Sequence, residues 1–103
     1  MTLINNKKEW DAFLKSSGNE AVIVLFYDQR SKSYLDDFQK LAGTFPSVKT
    51  AKIDIDGELQ GEVVVEFMVL EVPTFIVYKG GREKERLQGG NYGNVSKLFE
   101  KYK

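Results

Sequence analysis

The spacing of apolar and polar positions predicts which segments of the chain are helices and which are strands. Trp10, Phe13 and Leu14 lie three and four positions apart, which is typical of the buried face of an amphipathic helix. The run AVIVLFY at residues 21–27 is apolar throughout and rich in β-branched and aromatic residues. Such a run favours a central strand that is buried on both faces of a sheet. A polar stretch, DQRSKSY at residues 28–34, follows this strand.

Local signals also predict where the first elements begin and end. The segment TLI at residues 2–4 favours a short strand. Asn5 or Asn6 is expected to cap the first helix, because a short amide side chain can accept a hydrogen bond from a free N–H at a helix start. Gly18 is expected to end the helix, because glycine adopts the left-handed conformation of a helix C-terminus.

The middle of the chain repeats the alternation of helix and strand. A second helix is indicated by large apolar residues at helical spacing: Tyr34, Phe38, Leu41 and Phe45. Pro46 is expected to end it. The alternating segment VKTAKIDID at residues 48–56 predicts a strand. Residues 57–69, GELQGEVVVEFMV, are predicted to form a third helix, although three consecutive valines favour a strand.

The last part of the chain predicts a hairpin followed by a helix. TFIVYK at residues 74–79 favours a strand, Lys79-Gly80-Gly81 a tight turn, and EKERLQG at residues 83–89 a polar edge strand. A final helix is indicated by an apolar face: Val95, Leu98, Phe99 and Tyr102.

The predicted order of elements is β-α-β-α-β-α-β-β-α, which determines the fold class. Strands separated by helices are joined by crossovers and run parallel, whereas the final hairpin must be antiparallel. We therefore predict one α/β domain over residues 1–103. Its central mixed β-sheet combines parallel strands with a C-terminal antiparallel hairpin and is flanked by four helices.

Composition and charge restrict the partners. Fifteen basic and fifteen acidic residues balance, so we expect neither nucleic-acid binding nor electrostatic attachment to a membrane. The first ten residues, MTLINNKKEW, contain no apolar run typical of a signal peptide, and a cytoplasmic location is expected.

The absence of two residue types restricts the chemistry. The chain has no cysteine, which excludes disulfides, thiolate nucleophiles and cysteine-bound zinc. It has no histidine, which removes the commonest general base and the commonest transition-metal ligand. We expect no cofactor and no metal, and we expect that the protein is not an enzyme.

The segment VLEVPTFIVYKGGREKERLQGG resembles the second half of a thioredoxin. That family has an apolar residue, a cis proline and a threonine before an apolar strand, and these are Val72, Pro73 and Thr74 here. The family's Lys-x-Gly turn and the glycine beyond its last strand also have counterparts. The segments AKIDID and VIVLFY are similar to the third and central strands of the family. The resemblance covers nearly the whole chain and implies a thioredoxin-like fold.

The sequence departs from the family at the redox motif. Counted from Phe26, the two cysteines of the family's Cys-x-x-Cys motif correspond to Ser31 and Tyr34. Counted back from the following helix, the loop is instead shortened and the motif is partly deleted. The resemblance further implies that Leu25 stands where the family has a buried aspartate, and that Arg30 replaces a tryptophan. Both departures are consistent with lost thiol exchange.

The loop at residues 31–33 has three interpretations from sequence. Ser31 or Ser33 could cap the second helix. The loop could instead bind a partner where the family has its active site. A Ser–Lys catalytic pair is the third interpretation, and it requires that Lys32 be desolvated and face a serine.

Together these features lead us to expect a redox-inactive, thioredoxin-like protein that acts as a protein-binding, peptide-binding or scaffold module. The expected binding residues are Arg30, Ser31, Lys32, Ser33, Tyr34, Val72 and Pro73. The alternative is a thioredoxin disulfide oxidoreductase whose reactive cysteine has been replaced by Ser31. A structural subunit of a larger assembly is a third class. The partner is expected to be a protein or peptide, with this chain a monomer or a subunit of a hetero-complex.

Overall fold

The computed structural model describes residues 1–30 and 32–103. Nine helices and strands lie within these residues: β1 (Thr2–Leu3), α1 (Lys7–Ser17), β2 (Val22–Tyr27), α2 (Lys32–Thr44), β3 (Lys49–Asp54), α3 (Gln60–Val65), β4 (Thr74–Lys79), β5 (Arg82–Gln88) and α4 (Tyr92–Tyr102). Their order confirms the predicted succession. In this part of the chain, no helix has the length and apolar character needed to cross a membrane.

The strands form one mixed sheet in the order β1-β3-β2-β4-β5. β1 and β2 both pair with β3 in parallel, whereas β4 pairs antiparallel with β2 and with β5. This arrangement confirms the predicted mixed sheet with a C-terminal hairpin. The polar strand β5 lies at an edge, where its charged side chains oppose pairing with another strand.

The central strand β2 is buried on both faces, as its continuous apolar run predicts. Val22, Val24 and Phe26 lie in the core beneath α1 and α3. Leu25 and its neighbours of the same parity lie in the core beneath α2 and α4. The two cores arise because successive side chains of a strand point to opposite faces of the sheet.

Three of the predicted end signals are present in the structure. The Asn6 side chain accepts a hydrogen bond from the N–H of Glu9 at 2.9 Å, and the Glu9 carboxylate accepts one from the N–H of Asn5 at 2.7 Å. Gly18 ends α1 with φ 54°. Gly80 and Gly81 both have positive φ in the turn between β4 and β5, which explains why glycines occupy this hairpin.

The third helix is shorter than predicted: α3 spans only Gln60–Val65, rather than residues 57–69. Beyond it, Met68 takes a left-handed φ of 56°, and the N–H of Val69 donates to the carbonyl of Val63. This turn buries both Phe67 and Val69 in the core beneath α1 and α3. A longer helix would place these two residues on different faces, so core packing overrides the helical prediction here.

Candidate functional site

The two sequence-predicted parts of the site lie at the same edge of the sheet, which here means the end at which β2 stops and β4 starts. β2 and β4 are antiparallel neighbours, with Phe26 opposite Thr74. The end of β2 is therefore beside the start of β4. As a result, the loop that follows Tyr27 lies at the same edge as Val72 and Pro73.

A buried carboxylate holds the first part of this loop. Asp28 is 3% exposed and accepts a hydrogen bond from the N–H of Arg30 at 3.0 Å. The Arg30 guanidinium also donates to Asp28, from Nε at 3.1 Å and from Nη2 at 2.8 Å. This hydrogen bond and the carboxylate's charge raise the pKa of Arg30. Sequence reasoning selected Arg30 and missed Asp28, although an acid just after a buried strand and two residues before an arginine is a usable signal.

A second carboxylate joins this loop to the neighbouring strand. Gln29 Nε2 donates to Asp54 Oδ2 at 3.1 Å, and the N–H of Asp56 donates to Asp54 Oδ1 at 2.9 Å. Asp54 lies opposite Tyr27 in the parallel pair of β2 and β3. Burial and, secondarily, the charge of Asp54 raise the pKa of Tyr27. Asp28 and Asp54 therefore hold the start of the loop in place by accepting hydrogen bonds from Arg30 and Gln29.

The start of α2 contains the remaining loop residues. Lys32 is the first residue of the helix, and Ser33 is exposed in its first turn. Ser31 lies outside the described residues, as do its predicted roles as a helix cap and as part of a Ser–Lys pair.

The Val72–Pro73 peptide bond is cis and directly precedes β4. The Pro73 carbonyl accepts a hydrogen bond from the N–H of Gly89 at 2.9 Å, and Thr74 Oγ1 donates to the carbonyl of Glu71 at 2.6 Å. Val72 itself is half-buried. Within residues 1–30 and 32–103, neither its N–H nor its carbonyl makes a hydrogen bond.

Tyr34 and Pro73 are linked through a pair of glycines. The Tyr34 ring lies so close to Gly90 that a Cβ atom at residue 90 would overlap the ring and lie 2.7 Å from its Cζ atom. The preceding Gly89 is the residue that bonds to Pro73. Tyr34 is thus connected to Pro73 through Gly90 and Gly89, and Pro73, which the sequence predicted as a binding residue, is itself buried. Sequence reasoning missed Gly90, because no local pattern identifies a residue that contacts the start of α2.

The core beneath the end of β2 and the start of β4 is apolar on the side covered by α2 and α4. Leu25 is fully buried, lies opposite Phe75 across β2 and β4, and belongs to the same cluster as Phe38. An ionised carboxylate at this position would lose its hydration without gaining a partner from those hydrophobic neighbours. The Leu25 side chain itself carries no group that can take up or release a proton.

The comparisons with known proteins agree on one family. The thioredoxin family model matches residues 1–101. The chain is 29% identical to thioredoxin 1 of Plasmodium falciparum, covering 97% of this chain and 95% of the relative. It is 30% identical to thioredoxin-2 of Saccharomyces cerevisiae, covering 88% of each chain. The solved structure of Fasciola hepatica thioredoxin matches with a TM-score of 0.90 at 23% identity over 100% of both chains.

Proposed function

The chain belongs to the thioredoxin family, and we propose that it is a redox-inactive member that binds a protein or peptide through the Val72–Pro73 edge. Thiol–disulfide exchange needs an attacking thiolate, and the chain has no cysteine. A serine hydroxyl does not replace a thiolate without a base, and the chain has no histidine to act as one.

The open main chain of Val72 is the observation that carries this proposal. Its N–H and carbonyl make no hydrogen bond to the described residues, and it lies at the edge where β2 ends and β4 begins. An extended peptide that runs alongside Val72 would satisfy both groups by main-chain hydrogen bonds of the kind that pair two strands. Main-chain pairing of this kind provides affinity, and pockets for side chains provide specificity.

The side chains around this edge support binding rather than electron transfer. Leu25 lies in an apolar cluster, and Tyr34 contacts the backbone of Gly90. Arg30 is exposed and held by Asp28, which positions a cation beside the proposed peptide site. Arg30 and Tyr34 can contact a partner, and neither of them supplies a sulfur atom.

The alternative is a disulfide oxidoreductase in which Ser31 replaces the reactive cysteine. The thioredoxin relatives favour this class of function. Leu25 and Tyr34 weigh against it, because a single replacement at residue 31 leaves both of these departures unexplained. The variant Ser31→Cys distinguishes the two functions when assayed for reduction of insulin disulfides by dithiothreitol. The control is Ser47→Cys, which places an exposed thiol just before β3, at the opposite end of the sheet. We expect Ser31→Cys to show no more activity than this control, and clear excess activity would support the alternative.

The binding proposal is tested by capture from an extract of the source cells. We expect a partner to be retained by the wild type and lost in Val72→Asp, because the new carboxylate would be desolvated by a docked peptide. Ser47→Asp adds the same charge at the opposite edge and should retain the partner. The captured protein is then purified and its binding to all three forms is measured by calorimetry. Equal affinity for Val72→Asp and wild type would place binding elsewhere.

A further inference from the structure

Acidic residues are concentrated in one segment, although the whole chain has no net charge. Residues 53–78 contain six carboxylates and neither lysine nor arginine. The carboxylates belong to Asp54, Asp56, Glu58, Glu62, Glu66 and Glu71. This segment runs from the end of β3 through α3 into β4, and it therefore includes Val72 and Pro73.

The same segment exposes large apolar side chains. Four of them occur within residues 64–70, with exposed fractions of 56% for Val64, 83% for Val65, 67% for Met68 and 77% for Leu70. Single exposed apolar residues are ordinary on a protein surface, whereas a group of them at one place indicates an interaction site. We call these four residues the α3–β4 apolar surface.

The backbone of this surface accepts hydrogen bonds from a side chain that is distant in sequence. Arg86 of β5 donates from Nη1 to the carbonyl of Met68 at 2.8 Å and from Nη2 to the carbonyl of Phe67 at 3.0 Å. Phe67 and Val69 are buried in the core and fix the turn from the other side. A surface that is already ordered loses little conformational entropy when a partner docks.

Two cations that contact this segment are already paired with acids. Arg86 forms an ion pair with Glu83, and Lys7 forms one with Glu66. In contrast, five carboxylates of the segment have no ion-pair partner among residues 1–30 and 32–103: Asp54, Asp56, Glu58, Glu62 and Glu71. The chain segment that carries the apolar surface therefore bears negative charge that no ion pair among the described residues neutralises, and Glu62 and Glu71 flank the apolar residues in sequence.

We propose that the α3–β4 apolar surface binds a cationic, amphipathic peptide segment of a partner protein. Apolar side chains of the segment would cover Val65, Met68 and Leu70. Its lysines or arginines would approach Glu62 and Glu71, where complementary charge favours the correct partner and accelerates encounter. This proposal rests on the proposed binding function, because it extends the Val72–Pro73 edge to the adjoining surface and names the chemistry of the ligand.

Three synthetic peptides test the charge preference. They have equal length and equal leucine and phenylalanine content, and they carry lysine, glutamine or glutamate at their polar positions. We expect the lysine peptide to bind at least about tenfold more tightly than the glutamate peptide at low salt, and its advantage to shrink at high salt. Leu70→Ser should weaken all three, because the apolar contact is common to them.

Charge variants of the protein complete the test. Glu62→Gln/Glu71→Gln should abolish most of the preference for the lysine peptide. Glu20→Gln/Glu100→Gln removes two exposed carboxylates outside the segment and should leave the preference intact. Equal binding of the three peptides, or a preference that persists in Glu62→Gln/Glu71→Gln, would overturn the proposal. Concentration-dependent dimerisation that Leu70→Ser abolishes would also overturn it, because a second copy would then be the occupant.

The two proposals fail in different ways. If Val72→Asp leaves binding of the captured partner unchanged, the proposed function at the Val72–Pro73 edge is wrong. If Val72→Asp abolishes binding but Glu62→Gln/Glu71→Gln leaves it unchanged, the edge binds a partner and only the cationic, amphipathic assignment is wrong.

Discussion

The aromatic ring of Tyr34, in the first turn of α2, lies against the backbone of Gly90, two residues beyond the end of β5. These residues are far apart in sequence, and their contact lies next to Gly89, whose N–H donates to the carbonyl of the buried Pro73. Because residue 90 has no side chain, the ring can occupy the space where a Cβ atom would lie. Tyr34 therefore has a structural role at the position where counting from Phe26 places the second cysteine of the family's motif.

This contact predicts that Gly90→Ala destabilises the protein by about 1–3 kcal/mol, which is typical of overpacking a filled site. Urea denaturation of the variant measures the change. Gly43→Ala is the matched control, since no atom outside its own helix lies near the added methyl group, and it should stabilise α2 by roughly 0.5–1 kcal/mol. Removing the ring with Tyr34→Ala should abolish most of the cost of Gly90→Ala. An undiminished cost in that background would mean that the ring is not the obstacle.

The resemblance implies an aspartate at the position of Leu25, and introducing that aspartate is expected to destabilise the protein. Leu25→Asp should destabilise the protein by more than about 3 kcal/mol at neutral pH, because Leu25 is fully buried among apolar groups. Leu25→Asn has a similar shape without a charge and should cost less. Burial should raise the pKa of the new carboxyl. Its excess cost over Asn should therefore be full above that raised pKa, shrink as the pH falls below it, and vanish below the unfolded value of about 3.9. Equal stability of the two variants at neutral pH would contradict this reasoning.

Arg86 is expected to contribute to stability mainly through carbonyl groups. In Arg86→Met, the carbonyls of Phe67 and Met68 lose their donors, and the free energy of unfolding should fall by about 1–3 kcal/mol. Hydrogen exchange of residues 67–69 should become faster in this variant. Arg86→Lys should recover only part of the loss, because an ammonium lacks the planar fork that reaches both carbonyls. Arg82→Met, an exposed change on the same strand, should leave exchange at residues 67–69 unaltered.

Two carboxylates of β5 are expected to make the free energy of unfolding depend on pH in the acidic range. The hydrogen bond from Arg86 lowers the pKa of Glu83, and those from Lys101 and Tyr102 lower the pKa of Glu85. A pKa that is lower in the folded state gives stability that is present above the unfolded value of 4.5 and is lost as the pH falls through the folded value. Urea denaturation at a series of acidic pH values measures how the free energy of unfolding falls with pH, which we call the acid limb. In Glu83→Gln/Glu85→Gln the free energy of unfolding should fall less, so the acid limb should be flatter than in the wild type.

The control for the acid limb is Glu58→Gln, whose carboxylate forms no ion pair with the described residues. Its acid limb should match that of the wild type. Because Glu83 and Glu85 are partly exposed and screened by solvent, the difference between the double variant and the wild type should be modest. A steeper acid limb in the double variant would reverse the predicted sign.

The sequence alone determined the elements and their order, because local periodicity and end signals act within a few residues. The run at residues 21–27 predicted a strand buried on both faces, and Asn6 and Gly18 predicted the two ends of α1. It also identified Val72 and Pro73 through a family motif. These features survive in the structure because burial and backbone conformation at each position agree with the local preference.

Only the tertiary structure decided the features that depend on residues distant in sequence. It shortened α3 to Gln60–Val65, because Phe67 and Val69 must both reach the same core. It placed Gly90 beneath Tyr34 and brought Arg86 to the carbonyls of the α3–β4 turn. No local pattern encodes such contacts, since they arise when the sheet brings β5 and its neighbours to the end of β2. The sequence therefore located the end of the sheet that carries the candidate site, and the packing of distant segments left the main chain of Val72 without a hydrogen bond to the described residues.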